Sequence, residues 1–291
     1  MIDTIKWLHV EPTTRCNASC SGCKRNNSGF GLSDQLILED LNIERLKSVL
    51  DTAILLERVI FCGNNGDPCA SKIINQQLKI IKDKGVYLQL HTNGSLRTTA
   101  WWNQLAKLFE GKIEVWFGID GLEDTHSIYR QGTNWQKIID NASAFIDAGG
   151  RAVWQFIPFA HNEHQAKDCL KLSQQLGFKE FRFIKDARYQ TKSFHYKTGK
   201  EIDIKPWKGH NLIWKRQRNG YLNTIQDSNY KKNKVELTDC VHLIFPSLFL
   251  NAHGTLTPCC MYGQQDIKNF NIQKNFDEKT WKPNCLRNCG S

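Results

Sequence analysis

Residues 7–23 read WLHVEPTTRCNASCSGC: a short apolar run, Trp7 to Val10, followed by a loop that carries Cys16, Cys20 and Cys23. A run of this length with polar residues on both sides is typical of a buried strand. The three thiols after it are soft metal ligands at the carboxyl end of that strand. This stretch therefore predicts a sheet-based fold with its chemistry at one edge of the sheet.

Five further strand-like runs continue the pattern, at residues 59–62, 86–90, 113–117, 152–157 and 181–184. Between them, apolar residues recur every three or four positions, as expected of helices. Alternating strands and helices indicate repeated βα units and a parallel sheet. Six units are fewer than the eight of a closed TIM barrel, so residues 1–187 are predicted to form an α/β fold, an open, partial (β/α)6 TIM-like barrel.

The composition is that of a globular protein: 291 residues, 40% hydrophobic and 23% charged, which excludes a disordered chain and a disulfide mini-scaffold. No apolar run approaches the roughly 18 residues of a membrane-spanning helix, and Asp3 stands where a signal peptide has basic residues. We therefore expect a cytoplasmic protein without a membrane partner. Eleven cysteines in that reducing compartment indicate metal ligation or catalysis.

The net charge of +10 is concentrated in one segment. Residues 188–239 contain 12 Lys and Arg against 5 Asp and Glu, a local charge of +7, interleaved with aromatic residues. The flanking ranges 1–187 and 240–291 contribute only +1 and +2. A local basic stretch favours a specific acidic partner or substrate, although a solvated surface segment has the same composition. We interpret 188–239 as a bridging segment.

Three thiolates on one loop suit an iron-sulfur cluster with three protein ligands and one open iron. A structural zinc site needs a fourth nearby ligand, and the closest candidate, His9, lies inside the strand. The CxxxCxxC loop of Cys16, Cys20 and Cys23, after the first strand of a six-unit partial barrel, resembles the radical S-adenosylmethionine (SAM) superfamily. The resemblance implies a 4Fe-4S cluster on these cysteines, with SAM on the open iron. It also implies cleavage of SAM to a 5′-deoxyadenosyl radical that abstracts hydrogen from the substrate.

Later turns resemble the family's SAM-binding turns, in the same order. Asn65-Gly66-Asp67-Pro68 follows the second strand and is similar to the Gly-Gly-Glu-Pro turn that receives the SAM amino group. Thr92-Asn93-Gly94 follows the third strand, and Gly118-Ile119-Asp120-Gly121 follows the fourth, with Gly118 in place of a serine that often contacts ribose. The SAM contacts that the resemblance implies are Asn65, Gly66, Asp67, Thr92, Asn93, Asp120, Arg130 and Gln155.

Two of these residues have a structural alternative. Arg130 resembles the arginine that holds the SAM carboxylate, a role suited to a guanidinium group, and a surface salt bridge is the alternative. Gln155 on the fifth strand is a candidate contact to ribose or carboxylate, and a satisfied polar core residue is the alternative. Gly22 stands before the third cysteine, where many family members have an aromatic residue, so other groups must hold the adenine.

A second group of cysteines lies near the carboxyl end, around a hairpin-like stretch from Leu243 to Leu256. Four thiolates from a hairpin and a distant tail suit a tetrahedral site, which chemistry alone leaves open between zinc and iron-sulfur. The spacing resembles the SPASM extension in its shortened twitch form, which implies an auxiliary 4Fe-4S cluster in a small α+β domain over 240–291. Cys260 is the alternative to Cys259, and the implied ligands are Cys240, Cys259, Cys285 and Cys289.

No catalytic base stands out. The candidates are Lys185 and Asp186, at the end of the sixth strand, and Cys62, beside the turn after the second. Our first hypothesis is a radical SAM oxidoreductase that acts on a peptide or small polar metabolite, with the auxiliary cluster as electron acceptor and flavodoxin or ferredoxin as reductant. Two alternatives remain: RNA modification through segment 188–239, and a non-catalytic zinc- or cluster-stabilised binding protein.

Overall fold

The chain folds into an α/β structure, known from a computed structural model that describes residues 2–23, 25–26, 31–184, 193–205 and 247–257. The main strands are β1 (Trp7–Val10), β2 (Arg58–Phe61), β3 (Tyr87–Thr92), β4 (Ile113–Gly118), β5 (Arg151–Phe156) and β6 (Glu180–Phe183). Four further strands follow, β7 (Ser193–Phe194), β8 (Glu201–Ile202), β9 (Ser247–Leu250) and β10 (Leu256–Thr257). Eight of them form one sheet in the order β10, β9, β1, β2, β3, β4, β5, β6, and β7 pairs with β8 in a separate hairpin.

The described helices are α1 (Ile43–Thr52), α2 (Ile74–Lys84), α3 (Thr99–Phe109), α4 (Glu123–Tyr129), α5 (Trp135–Asp147) and α6 (Ala166–Gln175). Local sequence sets several of their ends. The side chains of Asn42, Thr98 and Asn134 accept backbone hydrogen bonds as N-caps. Gly85 ends α2 in the left-handed region, with φ of 74°. None of the helices in the described ranges has the length and apolar character to cross a bilayer.

Strands β1 to β6 are parallel and lie side by side in chain order, with helical segments between successive strands. This confirms the partial (β/α)6 barrel predicted for residues 1–187. The core lies between the sheet and the helices. Phe117 of β4, for example, packs against Trp102 of α3 and Phe145 of α5, with ring centroids 5.2 and 6.3 Å away.

The hairpin of β9 and β10 extends this sheet beyond β1. Strand β9 runs parallel to β1, with Trp7 opposite Ser247 and Val10 opposite Leu250, and β10 returns antiparallel. Arg45 of α1 donates from Nε to the carbonyl oxygen of Gly254 at 2.8 Å. The hairpin-like stretch predicted near residues 243–256 thus packs directly on the barrel, whereas most of the predicted domain 240–291 lies outside the described residues.

Candidate functional site

The cysteine loop follows β1 at the carboxyl edge of the sheet and is hydrogen-bonded to the end of α4 and the residues after it. The backbone N–H of Ser19 donates to the carbonyl oxygen of Gln131 at 2.7 Å, and that of Ser21 donates to Tyr129 at 3.0 Å. These bonds join chain segments more than 100 residues apart in sequence. The loop therefore depends on the completed barrel for its conformation.

Cys20 belongs to a small apolar cluster that is separate from the main core, and Cys16 and Cys23 pack against it. An apolar environment of this kind influences the potential of a metal centre. The members of the cluster are Ala18, Cys20, Tyr129, Ile157 and Phe159, with Cys16, Cys23, Ile184 and Ile204 packed against them.

The electrostatics beside the loop fit an anionic metal cluster. Burial, followed by the Asp67 carboxylate, raises the pKa of Cys16 above its ordinary value, and a bound metal reverses this preference because coordinated thiols are deprotonated. Arg25 is 5% exposed and donates from Nη2 to the Cys16 carbonyl oxygen at 3.3 Å. Its Nε and Nη1 have no hydrogen-bond partner within the described residues. A buried cation with unused donors suits thiolate-ligated iron-sulfur.

The side chains of the loop are not arranged as a finished coordination shell. In the part of the chain that the structure describes, no three His, Cys, Asp or Glu side chains are grouped to share a metal ion. The donor set and its apolar, cationic surroundings fit a 4Fe-4S cluster.

Asp67 joins the turns after β2 and β3. Its buried carboxylate accepts hydrogen bonds from the Thr92 hydroxyl at 2.9 Å, the Asn93 N–H at 2.7 Å and the Cys69 N–H at 2.9 Å. Burial raises the pKa of Asp67, and the bonds from Asn93 and Cys69 oppose that change. Asn93 continues the network from Nδ2 to Oδ1 of Asn17, in the cysteine loop, at 2.9 Å. Asp67 thus acts within the chain as a positioning residue, and its contact with SAM stays a prediction.

The turn that contains Asn65 and Gly66 packs against the start of the cysteine loop. A Cβ on Gly66 would lie 1.9 Å from the carbonyl oxygen of Thr13, so only glycine fits there. The backbone N–H of Asn65 donates to Oε1 of Glu11 at 2.7 Å. Burial raises the pKa of Glu11, and backbone donors from this turn and from Ala252 oppose the change. Glu11 therefore ties the turn to the hairpin of β9 and β10.

Asp120 and Arg130 form a buried ion pair after β4. Nε of Arg130 donates to Oδ2 of Asp120 at 2.6 Å, and Oδ1 accepts from the Ile157 N–H at 2.6 Å. Burial lowers the pKa of Arg130, but the Asp120 carboxylate together with Cys20 and Tyr129 raises it overall. Gly118 makes room for the guanidinium, because a Cβ there would lie 2.7 Å from Nη2. Glycine at position 118, where the family often has a serine, therefore leaves the space that the Arg130 guanidinium occupies.

Polar and charged side chains share the interior face of the barrel with apolar ones such as Val153. Gln155 faces this interior because its neighbours Trp154 and Phe156 are buried in the core, and the pairing register places it between Gly118 and Arg182. Successive ion pairs, 2.5 to 4.0 Å long, join residues on this face, most of them at the amino-terminal ends of β2, β4, β5 and β6. In order, their members are Arg58, Glu114, Arg151, Glu180 and Arg182.

Cys62 lies at the mouth of the same interior. Its Sγ is 3.0 Å from Nε2 of His9, which projects from β1. The other two candidate catalytic residues, Lys185 and Asp186, lie outside the described residues. The implied auxiliary ligands, Cys240, Cys259, Cys285 and Cys289, lie outside them as well.

Sequence reasoning missed three residues of this site. The sequence offered one indication for Glu11, because it is an acidic residue directly after β1, at the carboxyl edge of the sheet. Arg25 follows the third cysteine by two positions, but its burial is not encoded in that spacing. Arg182 alternates with Phe181 and Phe183 on β6, so it projects from the opposite face of the strand. Only the pairing register with β5 shows that this face is the barrel interior.

A family model described as the Radical SAM superfamily matches residues 10–172, more than half of the chain. A curated protein of Pyrococcus furiosus, the tungsten-containing aldehyde ferredoxin oxidoreductase cofactor-modifying protein, is 27% identical over 130 residues. The match covers 44% of this chain and 34% of that protein, so the chain spans about a third of that relative's length.

Solved structures with low sequence identity share the fold. SuiB of Streptococcus suis superposes with a TM-score of 0.62 at 12% identity, over 94% of this chain and 66% of that one. The structure of SuiB bound to the precursor peptide SuiA gives a TM-score of 0.61 at 12% identity, over 94% and 65% of the two chains. At this identity the likeness concerns the architecture.

Proposed function

We propose, since the chain belongs to the Radical SAM superfamily, that it is an oxidoreductase that generates a 5′-deoxyadenosyl radical and abstracts hydrogen from a peptide or small polar metabolite. The observation that carries the proposal is the cysteine loop. Its three thiols lie in or against one apolar cluster next to the buried, incompletely bonded Arg25. When bound there, a 4Fe-4S cluster would supply the electron that cleaves SAM.

The residues of the chain would bind and orient SAM beside this loop. Asp67 holds the turns after β2 and β3 in a fixed relation, so their backbone groups present a rigid surface. Arg130 is held by Asp120 beside Gly118, at the edge where a SAM carboxylate is expected. Preorganised groups of this kind lower the entropy cost of positioning a reactant.

The substrate is proposed to enter the interior of the barrel. On the interior face, Arg182 lies with its Cζ 4.1 Å from the centre of the Trp116 ring. A peptide is a reasonable choice because the same architecture in SuiB has been solved with a precursor peptide. Cys62, paired with His9, is the described candidate catalytic residue that borders this space.

An auxiliary 4Fe-4S cluster on Cys240, Cys259, Cys285 and Cys289 completes the proposal. Four protein ligands leave no open iron for substrate, so its role would be to accept the electron released when a substrate radical is oxidised. The hairpin of β9 and β10 pairs directly with β1, which brings the start of this C-terminal segment to the barrel.

Anaerobic reconstitution with iron and sulfide tests the proposal. We expect about eight irons per chain from two 4Fe-4S clusters, and formation of 5′-deoxyadenosine when SAM and a reductant are added. Replacement of Cys16, Cys20 and Cys23 with alanine should remove about four irons and all SAM cleavage. Replacement of the four C-terminal cysteines should remove about four irons and leave SAM cleavage measurable.

Cys169→Ala is the matched control, because Cys169 is fully buried in the main core on α6. It should retain the full iron content. A zinc-loaded protein that leaves SAM intact would contradict the proposal and favour the non-catalytic binding protein. Salt-dependent retention on RNA would instead favour RNA modification.

A further inference from the structure

We propose that Arg25 and Asn26 donate hydrogen bonds to the iron-sulfur cluster of the cysteine loop, and that the Arg25 charge raises the reduction potential of that cluster. The inference rests on the proposed function and deepens it. It assigns the residues that set how easily the loop cluster accepts the electron used to cleave SAM.

Two successive turns place Arg25 and Asn26 directly after the third cysteine. The backbone N–H of Cys23 donates to the carbonyl oxygen of Cys20 at 3.2 Å, and that of Asn26 donates to Cys23 at 2.9 Å. The Ser33 N–H donates to the carbonyl oxygen of Arg25 at 2.9 Å, which also holds the backbone at this position. The two side chains therefore leave from the turn that immediately follows two of the cluster ligands.

Both side chains are buried with unused donors. Arg25 is 5% exposed and Asn26 is 4% exposed. Among the residues that the structure describes, Nε and Nη1 of Arg25 and Nδ2 of Asn26 have no hydrogen-bond partner. An unpaired buried donor costs free energy, and an unpaired buried charge costs more. An acceptor that binds at this place would remove both costs.

Arg25 also reaches the first cysteine of the loop. It follows Cys23 by two residues, and its Nη2 donates to the carbonyl oxygen of Cys16 at 3.3 Å. The guanidinium group is planar, with its five N–H donors in a fixed fork, so Nε and Nη1 lie close to Cys16 as well. A cluster held by the three cysteines would be within reach of these donors.

The sulfurs of a 4Fe-4S cluster are acceptors that fit these donors. The potential of such a cluster depends on its net charge and on hydrogen bonds to its sulfurs. Reduction adds one electron, so a nearby positive charge stabilises the reduced form more than the oxidised form. Burial limits the screening of this effect. We therefore expect Arg25 to make the cluster easier to reduce, and Asn26 to add a smaller, uncharged contribution.

Arg25→Met and Arg97→Met form a matched pair of variants. Each removes one guanidinium group near Cys16, because Arg97 lines a cleft together with that cysteine. Unlike Arg25, Arg97 is partly exposed, and it donates to the carbonyl oxygens of Cys69 at 2.8 Å and Ser71 at 2.6 Å. Its charge is screened by solvent, and backbone oxygens already occupy two of its nitrogens.

A potentiometric titration followed by electron paramagnetic resonance (EPR) measures the potential of the loop cluster. The loop cluster gives the EPR signal that changes when SAM is added to a parallel sample, because its open iron binds SAM. We expect Arg25→Met to shift the reduction equilibrium about tenfold toward the oxidised form, which lowers the potential by about 59 mV. The shift should be about threefold for Asn26→Leu and less than about twofold for Arg97→Met.

Urea unfolding of the unloaded proteins separates this role from a structural one. Unloaded Arg25→Met should be at least as stable as the parent, because methionine removes a buried cation with unpaired donors. An unchanged potential in Arg25→Met, or an equal shift in Arg97→Met, would overturn the role of Arg25. An unchanged potential in Asn26→Leu would remove Asn26 from the assignment.

Arg25→Gln is the second variant, for the case in which Arg25→Met does not retain the cluster. Glutamine keeps two N–H donors and loses only the charge, so the shift should be about threefold, and its absence would overturn the proposal. Failure of the proposed function has a different signature. In that case the parent protein shows no EPR signal that responds to SAM and forms no 5′-deoxyadenosine.

Discussion

A single methyl group at position 118 is expected to disturb the buried ion pair of Arg130 and Asp120. The Cβ of Gly118→Ala would lie 2.7 Å from Nη2 and 3.0 Å from Cζ of Arg130, closer than such atoms approach in proteins. The guanidinium has little freedom to withdraw, because Nε donates to Asp120 at 2.6 Å and Asp120 is fully buried. The substitution must therefore shift the arginine or the backbone.

Two limits bracket the loss of stability. Overpacking a closely packed site costs about 1–3 kcal/mol. Loss of the whole pair would leave the Asp120 carboxylate buried alone, at a cost of about 3–5 kcal/mol. The Arg130 side chain is 17% exposed and has room to shift without leaving Asp120. We therefore expect a decrease of about 2 kcal/mol in the free energy of unfolding.

Urea denaturation of a double-mutant cycle with Arg130→Met measures this loss. Methionine keeps an unbranched stem and removes the planar group that the methyl would meet. In that background Gly118→Ala should cost less than about 0.5 kcal/mol, which gives a coupling energy of about 1.5 kcal/mol between the two positions. An equal cost in both backgrounds would refute the reasoning, because the methyl would then meet something other than the guanidinium.

Two further predictions concern pH and the cysteine loop. Burial, with a smaller effect of Arg130, lowers the pKa of His126 to about 3. The unfolded chain takes up a proton at this residue below pH 6.5 that the folded chain does not, so His126 by itself should contribute a loss of stability of about 1.4 kcal/mol per pH unit between pH 6 and 4. His126→Asn, which keeps an acceptor for the Asp120 N–H, should reduce that slope in urea titrations, and an unchanged slope would contradict the assignment. Gly66→Ala should lower stability by more than about 3 kcal/mol and reduce iron uptake, because its Cβ meets the Thr13 backbone. Gly111→Ala, with φ of 84° and open space around it, should cost only about 1 kcal/mol, so similar losses would argue against the clash.

The strands of the barrel were predictable because each is a short apolar run between helical patterns. The predicted runs at 59–62 and 86–90 shift by one or two residues to β2 and β3, as expected where strand ends depend on pairing. The cysteine loop was predictable in chemistry, since three thiols at this spacing have few uses in a reduced protein.

The contacts of the site were not predictable in the same way. The contacts of Asp67 and Asp120 with SAM stay predictions, and within the chain their carboxylates accept hydrogen bonds from Thr92, Asn93, Arg130 and the backbone. The partners of Glu11 depend on the tertiary structure, because its carboxylate accepts from backbone groups of the turn after β2 and from Ala252 in the hairpin beside β1.

Local sequence patterns predict the number and order of the βα units and the soft ligands at the end of β1. The hydrogen-bond partners of Asp67 and Asp120, and the need for glycine at position 118, follow from the folded structure alone. These properties depend on strand register and on contacts between distant segments. A buried donor or acceptor is satisfied by whichever group the completed sheet brings to it, and no local pattern encodes that partner.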